Sequence, residues 1–298
     1  MRANWLSLPW RLRLLIKIIL SRLPFPYSFW KKIGIFEHGD MNNFHKAITQ
    51  FLEHASTASI LESTDIGSGD LKFKNYLTVL ELGPGDSLIS AVIAKSLDAK
   101  KIWLVDAGNF AGYEVDNSSM STALRAQNLS DPLFGVTNVS LSEYLQICNC
   151  EYLTQGLNSL ISIPDGSIDY CFSNAVLEHV QKKDFYRTIT ELYRLLKPGG
   201  ICVHRVDLRD HLGGALNNLR FTEATWESSL FASSGFYTNR IRFGEMLKFF
   251  EQAGFLVRVE NKKNWEHLPT ARISMDQSFS SLPVEDLRVQ VFDLIAIK

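Results

Sequence analysis

One stretch constrains this chain more than any other: Val79-Leu80-Glu81-Leu82-Gly83-Pro84-Gly85-Asp86-Ser87, an apolar run that ends in two glycines and passes directly into a helical pattern. A buried strand, a tight glycine turn and a helix opening in that order form the first unit of a nucleotide-binding α/β sheet, in which the ligand sits beyond the carboxyl end of the strand. The third glycine of the dinucleotide fingerprint is missing, because Gly85 is followed by Asp86-Ser87-Leu88. A second apolar run, Ile102-Trp103-Leu104-Val105, ends in Asp106, twenty-one residues after Gly85. A carboxylate at that point can accept hydrogen bonds from both hydroxyls of a ribose.

Further apolar runs alternate with helical patterns. Strands are expected at 77–82, 102–105, 168–173, 201–206, 256–259 and 289–297, and helices at about 87–97, 183–196 and 243–253. Such alternation predicts a mainly parallel sheet with helices on both faces. The apolar spacing of Phe44, Ala47, Ile48, Phe51 and Leu52 predicts one more helix over about 41–58, followed by a polar linker over 63–70. That linker also spells Asp65-Ile66-Gly67-Ser68-Gly69, a second acid-glycine-glycine pattern, but no apolar strand leads into it.

The E-x-G-x-G form of Glu81-Leu82-Gly83-Pro84-Gly85 resembles the first motif of class I (Rossmann-like) methyltransferases. The resemblance continues through Pro164-Asp165-Gly166-Ser167-Ile168-Asp169, Ser173-Asn174-Ala175, Val176-Leu177-Glu178-His179-Val180 and Leu196-Lys197-Pro198-Gly199-Gly200, which look like the series shared by the ubiquinone and menaquinone biosynthesis group. It covers roughly residues 79–260 and implies S-adenosylmethionine as cofactor, a seven-stranded sheet with an antiparallel last strand, and cofactor contacts from Glu81, Gly83, Gly85, Asp106 and Asn174. That group has an acid where this chain has Leu157, so Asn158 or a backbone carbonyl must meet the adenine. The chain divides into an N-terminal extension, 1–62, and a methyltransferase domain, 63–298, carrying a substrate-capping insertion at about 207–242.

Methyl transfer is an in-line displacement, and an oxygen acceptor also needs a base to take its proton. His179, just after the fourth expected strand, is the first candidate, the alternative being that Glu178-His179 caps and packs a helix. His211 is the second, with neighbouring Asp210 placed to orient its imidazole. Asp207, Arg220, Trp226, Tyr237, Asn239 and Arg240 suit a polyhydroxylated acceptor, although each aromatic serves packing equally well. This later order of residues resembles methyltransferases of bacterial surface-polysaccharide pathways. The expected reaction is therefore O-methylation of a sugar or other hydroxyl on a small or lipid-linked acceptor. C-methylation of a quinone-like ring, a cofactor-binding scaffold without turnover and an NAD-dependent oxidoreductase are the alternatives.

The formal net charge of −1 disfavours a nucleic-acid substrate. Cys148, Cys150, Cys171 and Cys202 lie in or beside apolar segments and read as reduced core residues, which points to the cytoplasm; no ligand spacing calls for a metal. Trp5 to Leu23 is apolar but carries Arg11, Arg13, Lys17 and Arg22, too basic for a membrane span. Residues 5–36 are left with two readings: an amphipathic helix lying peripherally on an anionic membrane, or a helix packed on the main domain.

Overall fold

In the computed structural model, residues 8–23, 43–63, 71–111, 117–136 and 139–298 are described. The glycine-rich stretch at 65–69 lies outside them, as do residues 24–36 of the basic N-terminal segment. Helix α1 (Trp10–Leu20) and helix α2 (Phe44–Thr57) precede a small antiparallel pair, β1 (Leu61–Ser63) and β2 (Leu71–Phe73). The main sheet begins with β3 (Thr78–Leu82), whose five residues are all buried, then α3 (Ile89–Ser96) and β4 (Lys101–Val105). Helices α4 (Asn117–Arg125) and α5 (Leu141–Ile147) lead to β5 (Cys150–Leu153), α6 (Leu157–Ser162) and β6 (Ile168–Asn174). The remainder is α7 (Lys182–Leu195), β7 (Leu196–Asp207), an insertion of short helical turns, α8 (Phe243–Gln252), β8 (Leu256–Asn264) and β9 (Val289–Ile297).

The seven strands are ordered β5-β4-β3-β6-β7-β9-β8. Six run in the same direction, and β9 alone runs antiparallel, between β7 and β8. The Rossmann-like sheet with an antiparallel last strand is thus the observed one. β3 lies at the point where the order reverses, with β4 on one side and β6 on the other, which is where ligands bind open α/β sheets.

Two apolar layers cover the sheet. One face packs Val79, Ile102, Leu104, Phe172 and Val203 under α2, α3 and their neighbours; the other packs Leu80, Leu82, Cys171 and Cys202 under α7 and α8. α2 buries Ala47, Ile48, Phe51, His54 and Ala55, one helical face, and its first turn is closed by Asn43, whose side chain accepts the Lys46 N–H at 3.2 Å. Although the sequence division groups α2 with the N-terminal extension, its apolar face is part of the sheet's core. α7 does the same on the other side with Phe185, Ile189, Leu192 and Leu195.

The insertion has a small core of its own, Leu212, Trp226, Phe231, Phe236 and Tyr237, and α1 lies on it through Trp10, Leu14 and Ile18. Trp10 meets Phe221 edge-on at 6.2 Å between ring centroids, with the Arg220 guanidinium 5.3 Å from the Trp10 ring. Lys17 donates to the His211 carbonyl at 3.1 Å.

Candidate active site

The parallel register sets the carboxyl ends of β3, β4 and β6 at one level, because Leu82 pairs with both Val105 and Ser173. Whatever follows those three residues shares one end of the sheet, and Gly83, Asp106 and Asn174 follow them. The turn after β3 is closed by the Gly83 N–H donating to Val105 O at 2.8 Å. Gly83 and Gly85 both hold positive φ, +67° and +68°. Only glycine takes that conformation without strain, and at Gly83 a Cβ would also stand 2.5 Å from Val176.

Asp106 fixes the same turn from the next strand. One carboxylate oxygen accepts the Gly85 N–H at 3.0 Å and the other the Ala107 N–H at 2.7 Å. The chain after β5 is drawn in by the Gly156 N–H, which donates to Asp106 O at 2.8 Å, so that Asn158, exposed at the start of α6, joins this end of the sheet. Glu81 is buried in β3, and one of its carboxylate oxygens has no hydrogen-bond partner. Burial first, then the charge of Asp106, raises its pKa to about 8, against the pull of a Ser90 hydrogen bond. A buried carboxyl with an unused acceptor, beside a glycine backbone that exposes no Cβ, fits the cationic amino-acid end of S-adenosylmethionine.

A second cluster forms where the turn after β6 meets the insertion. Ala175 has φ +54°, and the turn is pinned by its N–H to Arg205 O at 2.8 Å. Asn239, fully buried, grips the turn from the other side, donating through Nδ2 to Leu177 O at 2.8 Å and Val180 O at 3.0 Å while its N–H reaches Glu178 O at 2.7 Å. Glu178 is buried too; it accepts the Asp207 N–H at 3.1 Å, and burial together with the Asp207 charge raises its pKa to about 8.

This clamp presents His179 at the surface beside His211, ring centroids 4.9 Å apart and Nε2 to Nε2 3.2 Å. His179 Nδ1 is 3.0 Å from Tyr237 O. A carbonyl only accepts, so Nδ1 carries a proton; in the neutral ring Nε2 then keeps its lone pair, and His211 Nε2–H is the donor between the rings. The pKa of His211 is lowered, first by the protein crowded around a ring that still meets solvent at one edge, then by His179 and Lys17. His211 is thereby held neutral.

The remaining expected site residues are placed as follows. Asp210 does not orient His211; its carboxylate accepts the N–H groups of Leu212 at 3.0 Å, Ala215 at 3.3 Å and Asn217, and so shapes the loop that carries His211. Asp207 is half-buried and paired with Arg209. Arg220 bonds Asn217 and faces Trp10. Trp226 is wholly buried, its indole donating to Thr238 O at 2.7 Å. The Tyr237 hydroxyl donates to Glu227 at 2.9 Å, and only its carbonyl belongs to the histidine pair. Arg240 is buried between Glu223 and Phe221 O. In this conformation Trp226, Arg240 and the Tyr237 ring serve the insertion's own packing, and Asn239 holds the turn after β6.

Two buried groups were not legible from spacing. Cys171, Cys202 and His204 bring ligand atoms within 4.8 Å of one another on β6 and β7, inside the apolar layer, with His204 Nδ1 2.8 Å from Ser173 Oγ. His54 of α2 is buried with neither ring nitrogen hydrogen-bonded, and burial followed by the Arg205 charge lowers its pKa to about 4.

Residues 80–204 match the family model described as a methyltransferase domain. The chain thus carries a methyltransferase domain. A search of curated protein sequences finds no match. Among solved structures the methyltransferase is similar to an S-adenosylmethionine-dependent methyltransferase from Mesorhizobium loti, with 18% identity, TM-score 0.40, and 75% of this chain and 92% of that one covered. It is similar also to one from Archaeoglobus fulgidus, with 12% identity, TM-score 0.47, and 91% and 99% covered. A third is Haemonchus contortus phosphoethanolamine N-methyltransferase 2 in complex with S-adenosyl-L-methionine, with 14% identity and TM-score 0.47; 93% of this chain covers 61% of that longer one. Among the described residues no helix is long and apolar enough to cross a membrane.

Proposed function

We propose that this S-adenosylmethionine-dependent methyltransferase acts on a hydroxyl oxygen of a sugar or similar small or lipid-linked acceptor, with His179 as general base. The observation that carries the reading is the 3.0 Å contact between His179 Nδ1 and Tyr237 O, which keeps a proton on Nδ1 and, in the neutral ring, leaves the Nε2 lone pair as acceptor. An acceptor hydroxyl that displaces the His211 N–H donates its proton to that lone pair as its oxygen bonds to the methyl carbon and the carbon–sulfur bond breaks.

Bound S-adenosylmethionine supplies the electrophilic methyl group and a neutral sulfur leaving group. Glu81, Gly83, Gly85 and Asp106 are the residues assigned to hold it, with Asn174 at the sulfonium end and Asn158, or a backbone carbonyl near it, at the adenine. Asp106 already orders the glycine turn, so that turn is preorganised for the ligand. Asp210 sets the loop of His211, and Asp207, with Arg209 beside it, is the polar contact offered to acceptor hydroxyls.

The test follows S-adenosylhomocysteine release with a panel of sugar glycosides, lipid-linked saccharides, quinols and amines, with the methylated position assigned by NMR. O-methyl product from a hydroxylated acceptor, lost in His179→Ala, supports the reading. C- or N-methyl product, or turnover unchanged in His179→Ala, overturns it.

A further inference from the structure

Helix α1 has two apolar faces. The inner one, Trp10, Leu14 and Ile18, lies on the insertion. Leu12, Leu15 and Ile19, with Leu23 just past the helix end, recur at helical spacing on the opposite side, and all four are exposed, Leu15 and Ile19 at 54%. A second apolar stripe turned to solvent on so short a helix contributes nothing to folding and carries a cost in water.

The charges on this helix are of one sign. Arg11 and Arg22 are exposed at its two ends, Arg13 and Lys17 lie on the same helix, and no acidic residue occurs between positions 8 and 23. A protein partner of ordinary composition would be met by mixed charges. A continuous apolar stripe flanked on its own helix only by cations matches an interface of acyl chains beneath anionic headgroups.

We propose that the outer face of α1 docks on an anionic lipid surface, with Leu12, Leu15, Ile19 and Leu23 entering the headgroup–acyl boundary and Arg11 and Arg22 pairing with lipid phosphates. The helix lies in the plane of the surface, since its inner face stays on the insertion. Docking also orients the enzyme: Lys17 on α1 bonds the His211 carbonyl, and Ser21 accepts the Gly235 N–H at 3.5 Å, so the histidine pair stands beside the lipid. This surface stands independently of the acceptor's identity.

The experiment is cosedimentation of the full chain with vesicles of equimolar phosphatidylcholine and phosphatidylglycerol, and with phosphatidylcholine alone. The expected result is binding to the anionic vesicles that falls with added salt. Leu15→Glu/Ile19→Glu and Arg11→Glu/Arg22→Glu should each weaken it by about tenfold or more. These side chains are solvent-facing, so thermal unfolding and S-adenosylhomocysteine affinity should stay at wild-type values in both variants. No binding of the wild-type chain, equal binding to the two vesicle types, or binding unchanged in both variants overturns the proposal. A concentration-dependent dimer in sedimentation velocity that disappears in the Leu15→Glu/Ile19→Glu variant, without vesicle binding, overturns it in favour of a second copy.

Discussion

The end of the sheet assigned to the cofactor and the mouth assigned to the acceptor lie on one molecule but are built in different ways. The first is made from backbone: two glycines at positive φ, an Asp106 carboxylate holding their turn, and strand ends set level by register. Its parts come from three short stretches, each complete in itself. The second is made from side chains and carbonyls brought together over long distances, His179 to Tyr237 O and Lys17 to His211 O among them. A backbone cradle tolerates change in most surrounding side chains, whereas a side-chain cluster fails when any one support is removed.

The largest expected effect separates the two ends directly. His179→Ala should lower turnover by about 10²- to 10⁴-fold, the range for losing a general base, and leave cofactor affinity unchanged. A parallel loss of affinity in calorimetry would show that the two ends are not separable. Next, Trp226→Ala should cost about 3–5 kcal/mol of stability in chemical denaturation, because a wholly buried indole and its bond to Thr238 O disappear. Retained stability with a raised acceptor KM would return Trp226 to the role of a stacking platform.

Glu81→Gln gives a smaller, pH-dependent effect. The folded-state pKa of Glu81 is raised to about 8, so the folded protein holds a proton that the unfolded chain has lost above its ordinary value. Stability from this group is therefore present at low pH and is lost as pH rises towards 8. The variant should show a shallower decline of melting temperature across that window; Glu178, whose pKa is raised in the same direction, keeps its own share of the decline, while His54 and His211, held neutral in the fold, act in the opposite sense below pH 6.5. An unchanged slope would remove Glu81 from the account. The smallest effect should be that of Tyr237→Phe. It loses the bond to Glu227, worth about 1 kcal/mol, yet keeps turnover within a few-fold, because His179 is held by the main chain of residue 237. A large loss of turnover would place the hydroxyl in the chemistry.

The same contrast explains what the sequence discloses. Val79 to Gly85 is legible because strand, turn and helix are consecutive, and Asp106 because it ends the next apolar run. β5, four residues at the sheet edge with Glu151 exposed, carries too little apolar signal to be read as a strand. β7 begins five residues earlier than its apolar run, since Leu196 pairs with Ile168 before the glycine turn. In the insertion, residue type is ambiguous: tryptophan, asparagine and arginine suit a sugar and suit the chain's own carbonyls equally, and only the fold shows that Asn239 and Arg240 grip backbone. For α1 the sequence leaves packing and membrane contact as rival readings, and the helix has one face suited to each. Glu178 stood in view between Leu177 and His179; a charged residue flanked by Leu177 and Val180 in an apolar turn was its signal.

The central claim is that the backbone cradle after β3 and Asp106 together bind S-adenosylmethionine. Calorimetric titration of the full chain with S-adenosylhomocysteine, for the wild type and Asp106→Ala, tests it most directly. The account predicts one site per chain, weakened by about 10- to 100-fold in the variant through loss of charge-assisted hydrogen bonds. Undetectable binding to the folded wild type, or equal affinity in the two proteins, would contradict it.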